Sequence, residues 1–89
     1  MKQTEYTTQF VKLTPPLLED GILYVLPHFE VAIHNCMCGC GEKVVTPLGD
    51  GQWSWNYDGV NTTLSPSVGN FQYNCKSHYF LRQGKVIWV

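Results

Sequence analysis

Long apolar runs, blocks of like charge and helical periodicity are all missing from this sequence. The longest strictly apolar run is Ile22 to Leu26, far short of the ~20 residues that a membrane-spanning helix needs. The opening "MKQTEYTTQF" has no apolar stretch after its single Lys, so no secretory signal is read there. Lys and Arg total 6 against 7 Asp and Glu, for a formal net charge of −1. That balance disfavours binding to a nucleic-acid backbone or an anionic membrane. Repeats, linkers and low-complexity segments are also lacking. Together these absences read as a soluble cytoplasmic protein with no membrane association. At 89 residues the chain has room for one domain, spanning 1–89. A chain near this length buries only about 60–65% of its unfolded surface, so its core is marginal unless something staples it.

The residues present are mostly strand and turn formers. "YTTQFVKL" (6–13) is rich in β-formers and is ended by Pro15 and Pro16, because proline cannot donate to a ladder. "DGILYVL" opens on an Asp-Gly turn, and "FEVAIH" alternates Phe29, Val31 and Ile33 against Glu30, Ala32 and His34. "EKVVTPL", "QWSWNY" and the segment after "YDGVN" add short strands, and "HYFLR" with "KVIWV" reads as a hairpin about Gln83 and Gly84. The best helical stretch, "PPLLED" at 15–20, is long enough for a single turn. Trp53, Trp55 and Tyr57 alternate onto one face and are expected in the core. The fold expected is all-β: a small zinc-stapled antiparallel sheet or sandwich of short strands with zinc-ribbon-like ligand turns.

The staple is suggested by "HNCMCGCG" at 34–41 and "CKSHY" at 75–79. Without a secretory route, clustered cysteines point to metal or reactive thiols rather than disulfides, and Cys36 paired with Cys38 would close a strained ring. "NTT" at 61–63, formally a glycosylation sequon, is for the same reason read as turn and strand residues. Structural zinc takes four thiolate or imidazole ligands in a tetrahedron, with local spacings of about two to four intervening residues. Cys36 with Cys40, and Cys75 with His78, satisfy that spacing. Gly39 and Gly41 suit a turn that aims several side chains at one ion. Cys36, Cys38, Cys40, Cys75 and His78 are therefore five candidate ligands for four positions. The favoured set is Cys75 and His78 with two of the three clustered cysteines, the spare one left open. His34 is held as a donor behind the ligands first and as a ligand second.

"HNCMCGCGEKVVTPL", Trp53, "LSPSVGN" and "CKSHYFLRQGKVIW" resemble an uncharacterised bacterial domain family. Its signature is His-x-Cys-x-Cys-Gly-Cys-Gly, a Pro-Ser-(Ile or Val)-Gly-Asn block, and Cys-x-Ser-His followed by an aromatic residue. The resemblance covers about residues 28 to 89, with Met37 where a small residue or proline is expected. It implies metal binding and a protein partner, in a setting similar to that of proteins encoded beside bacterial ubiquitin-like conjugation components. A partial resemblance to the three-cysteine, one-histidine 2Fe–2S domains makes that redox cofactor the alternative to Zn2+. A nucleic-acid-binding, zinc-ribbon-like module is the other alternative. It requires Lys12, Lys43, Lys76, Arg82 and Lys85 to converge on one face.

Catalysis is not expected from these residues. Cys75 with Ser77 and His78 suggests a thiol nucleophile and base, yet such pairs meet across space and need no sequence adjacency. Glu42 is the only acid near the cluster and reads as a solvated strand-start residue. "SPSVGN" (65–70) reads as turn construction first and as packing under the metal site second, and His28 reads as a surface residue. The function expected is a structural-zinc domain that serves as a protein-interaction or accessory module.

Overall fold

The computed structural model describes residues 2–89. Among them there is no α-helix, and no helix long and apolar enough to cross a membrane. Nine strands run in chain order: β1 (Thr7–Phe10), β2 (Ile22–Leu26), β3 (Val31–Asn35), β4 (Lys43–Pro47), β5 (Ser54–Tyr57), β6 (Thr62–Ser65), β7 (Val68–Gly69), β8 (His78–Arg82) and β9 (Lys85–Trp88). They form a four-stranded sheet β1-β2-β3-β4, a hairpin β5-β6 and a three-stranded sheet β7-β8-β9. The Asp58–Asn61 turn of the hairpin is held by the Asp58 carboxylate, which accepts the N–H groups of Val60 and Asn61.

The all-β expectation holds, with two local departures. β1 pairs with β2 in parallel, Thr7 opposite Ile22, because the 11–21 connection crosses over instead of reversing in a tight turn. The proline-led stretch at 15–20 forms no helix. The single 3-10 turn is Pro27–Phe29, where proline opens the turn and Glu30 closes it with φ 54°.

Side-chain alternation places the core between the two larger sheets. Leu23, Val25, Ala32 and Val44 from the first sheet meet Val68, Tyr79, Leu81 and Val86 from the third, and Leu64 of β6 fills one side. Tyr6 reaches across and donates its hydroxyl to the Thr62 carbonyl, tying the N-terminal segment to β6. A smaller cluster of Tyr24, Leu26 and Ile33 lies apart from this core and is covered by Val11 and Leu18 of the crossover. β3 is thus buried on both faces. The tryptophan stripe divides: Trp53 packs on the main core, whereas Trp55 and Tyr57 stay exposed and contact Phe10. The β5 strand is exposed along its whole length, so alternation there had no second sheet to bury its face.

Leu64→Ala, at a fully buried position, is expected to cost about 2–5 kcal/mol. Leu17→Ala, in the exposed crossover, should change stability by no more than about 0.5 kcal/mol. Urea denaturation of the two variants checks both, and equal midpoints would contradict the core assignment.

Candidate functional site

Two loops at strand ends meet below the main core. The first follows β3: Cys36 N–H donates to the Glu42 carbonyl at 2.8 Å, and Gly39 N–H donates to the Cys36 carbonyl at 3.0 Å. This tight return requires positive φ at Gly39 and Gly41, both at 88°. The second loop joins β7 to β8. It is closed by Asn70 N–H to the Ser77 carbonyl at 2.8 Å and pinned to the first loop by Tyr73, whose hydroxyl donates to the Lys43 carbonyl at 2.8 Å.

Together they bring Cys36, Cys38, Cys40 and Cys75 into one group, with all four sulfur atoms within 4.8 Å of one another. Cys36 Sγ lies 3.4 Å from Cys38 Sγ and 3.8 Å from Cys75 Sγ. A tetrahedral ion with metal–sulfur bonds of ~2.3 Å requires sulfur–sulfur edges of about 3.8 Å, so the donor set fits a single metal ion. All four thiols are free of disulfides. Cys36 is buried, Cys38 and Cys75 are half-buried, and Cys40 opens to solvent in a cleft shared with Glu42, Gln72, Tyr73 and Asn74. Donation from the Ser77 hydroxyl and backbone N–H pulls Cys75 down to about 6, while burial and the neighbouring thiols push Cys38 up to about 12. Cys75 thus ionises more readily than Cys38 and Cys40, and a cation among the four would stabilise the remaining thiolates.

Polar side chains brace this group from behind. Asn70 Nδ2 lies 3.4 Å from Cys36 Sγ, 3.2 Å from Ser77 Oγ and 3.3 Å from the Tyr79 hydroxyl. Ser77 Oγ is 3.0 Å from Cys36 Sγ. The Tyr79 oxygen accepts from Met37 N–H, lies 3.3 Å from Asn70 Nδ2 and shares a hydrogen bond of 2.7 Å with His34 Nε2. The other ring nitrogen, His34 Nδ1, has no hydrogen-bond partner among the described residues. Burial lowers its pKa to about 4. His34 stands behind the thiols through Tyr79 and is not part of the thiol group.

His78 is also outside the thiol group, although its spacing from Cys75 suggested a ligand. The reason is strand alternation. Ser77, Tyr79 and Leu81 point into the core, so His78 and Phe80 project from the opposite face of β8. There His78 Nε2 lies 2.7 Å from the hydroxyl oxygen of Ser67, which enters β7. Trp53 Nε1 donates to the Ser67 carbonyl at 3.3 Å and fixes the segment just before β7. No carboxylate hydrogen-bonds His78 among the described residues. Ser67 and His78 together can act as a hydroxyl nucleophile and its base. "SPSVGN" packs under the thiol group through Asn70, as its second reading had it, but the sequence did not single out Ser67. The available signal was that the same short block carries Ser67, which meets the imidazole, and Asn70, which meets the sulfur.

Two of the five basic residues named above have partners. Lys85 pairs with Glu5 at 3.0 Å, and Arg82 stacks over Phe80 at 4.2 Å from the ring centroid.

The fold and site thus define a small all-β domain with a four-thiol group on one side of a strand and a Ser–His pair on the other. Residues 10–89 match the family described as the bacterial ubiquitination-like system serine protease, BubE, and the chain belongs to that family. No curated protein and no solved structure gives a significant match.

Asn70→Ala should weaken metal affinity about 10- to 100-fold by removing the donor to Cys36. Cys36→Ser should remove tetrahedral binding, and His78→Ala should leave it intact. Titration with Co2+, followed by its thiolate charge-transfer absorption, distinguishes the three variants. Loss of that absorption in His78→Ala would restore the imidazole as a ligand.

Proposed function

We propose that this domain is a serine hydrolase acting on a protein substrate of the ubiquitination-like system, with Ser67 as nucleophile and His78 as general base. The observation that carries this reading is the 2.7 Å contact between Ser67 Oγ and His78 Nε2 in a chain of this family. In the acyl-transfer step Ser67 Oγ bonds to the substrate carbonyl carbon while His78 Nε2 takes the hydroxyl proton. His78 then returns that proton to the departing amine or alcohol. Water, deprotonated by the same imidazole, then bonds to the acyl carbon, and the imidazolium returns its proton to Ser67 Oγ as the ester bond breaks and the acid leaves.

The four cysteines hold a structural Zn2+ in this reading. A 2Fe–2S cluster of the three-cysteine, one-histidine type needs His78 at the metal, whereas the imidazole lies outside the thiol group, against Ser67. The zinc site holds the β7–β8 loop, and with it the segments that carry Ser67 and His78. Four reduced thiols in a metal site suit a cytoplasmic setting. The chain acts as one domain over 1–89, and its partner is a protein.

A second reading, a non-catalytic protein-interaction module stapled by zinc, draws on the exposed aromatic group. There the Phe10 ring meets Tyr57 edge-on at 4.8 Å, and Trp55 lies 6.1 Å away. This reading assigns partner binding to that group and no reaction to Ser67.

A fluorophosphonate probe separates the two. The hydrolase reading expects covalent labelling of Ser67 in the zinc-loaded protein, none in Ser67→Ala, and hydrolysis of an activated acyl ester slowed about 10²- to 10⁴-fold by His78→Ala. An unlabelled Ser67 in folded, zinc-loaded protein would favour the interaction module. Elemental analysis for zinc against iron tests the metal. Chelation should unfold the chain, because structural zinc contributes about 10–16 kcal/mol of apparent binding energy in small domains. Dispersed amide signals in a metal-free sample would contradict a structural role for the ion.

A further inference from the structure

A Ser–His pair works only if the imidazole is held in line with the hydroxyl, a task usually given to an acid on Nδ1. His78 has no such acid among the described residues. What lies against its ring instead are two aromatic side chains. Phe71 approaches edge-on with centroids 5.4 Å apart at 64°, and Phe80 lies at 6.4 Å and 31°. Phe80 reaches this place by alternation along β8. Phe71 comes from the loop after β7, and a gap in the strand beside it decides its path.

That gap is Gly69. It stands opposite His78 in the antiparallel register, so any side chain at position 69 would rise beside the imidazole. A Cβ built there would lie 2.6 Å from Phe71 Cε2 and 3.1 Å from Cδ2. Of the 8 glycines in the chain, seven adopt positive φ and Gly69 does not. Its glycine is therefore required for space and not for backbone conformation. Nor is Phe71 a core residue, since it remains 61% exposed. A large apolar side chain left in solvent, over a strand glycine that makes room for it, is explained by what it touches.

We propose that Phe71, seated in the space left by Gly69, is a positioning residue that holds the His78 ring in line with Ser67, in the role an orienting acid has elsewhere. The proposal rests on the hydrolase reading above and adds to it the means by which the base is oriented.

The test compares Phe71→Ala, Phe71→Tyr and Gly69→Ala with wild type, all zinc-loaded, with Ser67→Ala as the blank. The readouts are the second-order rate of fluorophosphonate labelling at Ser67 and the kcat and KM of ester hydrolysis, with zinc content and thermal midpoint measured alongside. Phe71→Ala should slow labelling and lower kcat about 10²-fold with KM little changed, as expected of a base set about 1 Å out of place. Phe71→Tyr, which keeps the ring, should restore the wild-type rate. Gly69→Ala should reproduce the loss by displacing the ring. Phe71→Ala is the deciding variant if the added methyl destabilises β7. Labelling of Phe71→Ala at the wild-type rate overturns the positioning role and leaves the Ser67–His78 pair standing. A rise in KM at constant kcat also overturns it, by assigning the ring to substrate binding. Failure of wild-type Ser67 to label overturns the pair and the positioning role together.

Discussion

Four sulfur atoms drawn from two loops into a space less than 5 Å across are the constraint around which this domain is organised. Nothing in an apolar core of this size compels Cys75 to sit against Cys36, Cys38 and Cys40 across so much intervening chain. Thiolates repel one another, so the arrangement is stable only with a cation among them or with the thiols protonated. The packing around the group is correspondingly specific. Asn70 and Ser77 lie against sulfur and against each other, and Tyr79 joins Asn70 to His34, which closes the network as a neutral ring. Each of these residues is buried, and each would be costly there without its partner.

Strand β8 carries that constraint through to the other side of the sheet. Its residues alternate, so the side that includes Ser77 and Tyr79 belongs to the thiol group, while the side that includes His78 and Phe80 belongs to the Ser67 pair. The connection from β7 does the same with Ser67 and Asn70, three positions apart. Two short segments therefore each contribute to both the sulfur side and the hydroxyl side. Ties from outside these segments are the Trp53 indole on the Ser67 carbonyl and, from the end of β9, Val89 N–H on the His78 carbonyl at 3.1 Å.

The departures from expectation have a common origin in facing rather than in composition. Cys-x-x-His spacing is the spacing of a zinc knuckle, yet the same four residues enter a strand at His78, and a strand turns each successive side chain to the opposite face. Trp55 and Tyr57 alternate as a core stripe would, and remain exposed because the β5-β6 hairpin has no sheet stacked over that strand. The parallel pairing of β1 with β2 depends on a crossover whose apolar residues, Val11 and Leu18, find a small cluster to cover. Local sequence registers none of these outcomes.

Period-two alternation, β-branched and aromatic residues, and Gly and Pro punctuation were enough to establish an all-β chain and nearly all its strands. Those signals are local and survive in any tertiary setting. Residue chemistry likewise singled out the cysteine loops, since thiols crowded beside glycines in a turn have few other uses. Only the tertiary structure decided which donors meet: it placed all three clustered cysteines with Cys75, turned His78 away, and set it against Ser67. The physical reason is that ligation and proton transfer depend on distances of a few ångströms between residues far apart in the chain, and strand facing and loop closure set those distances.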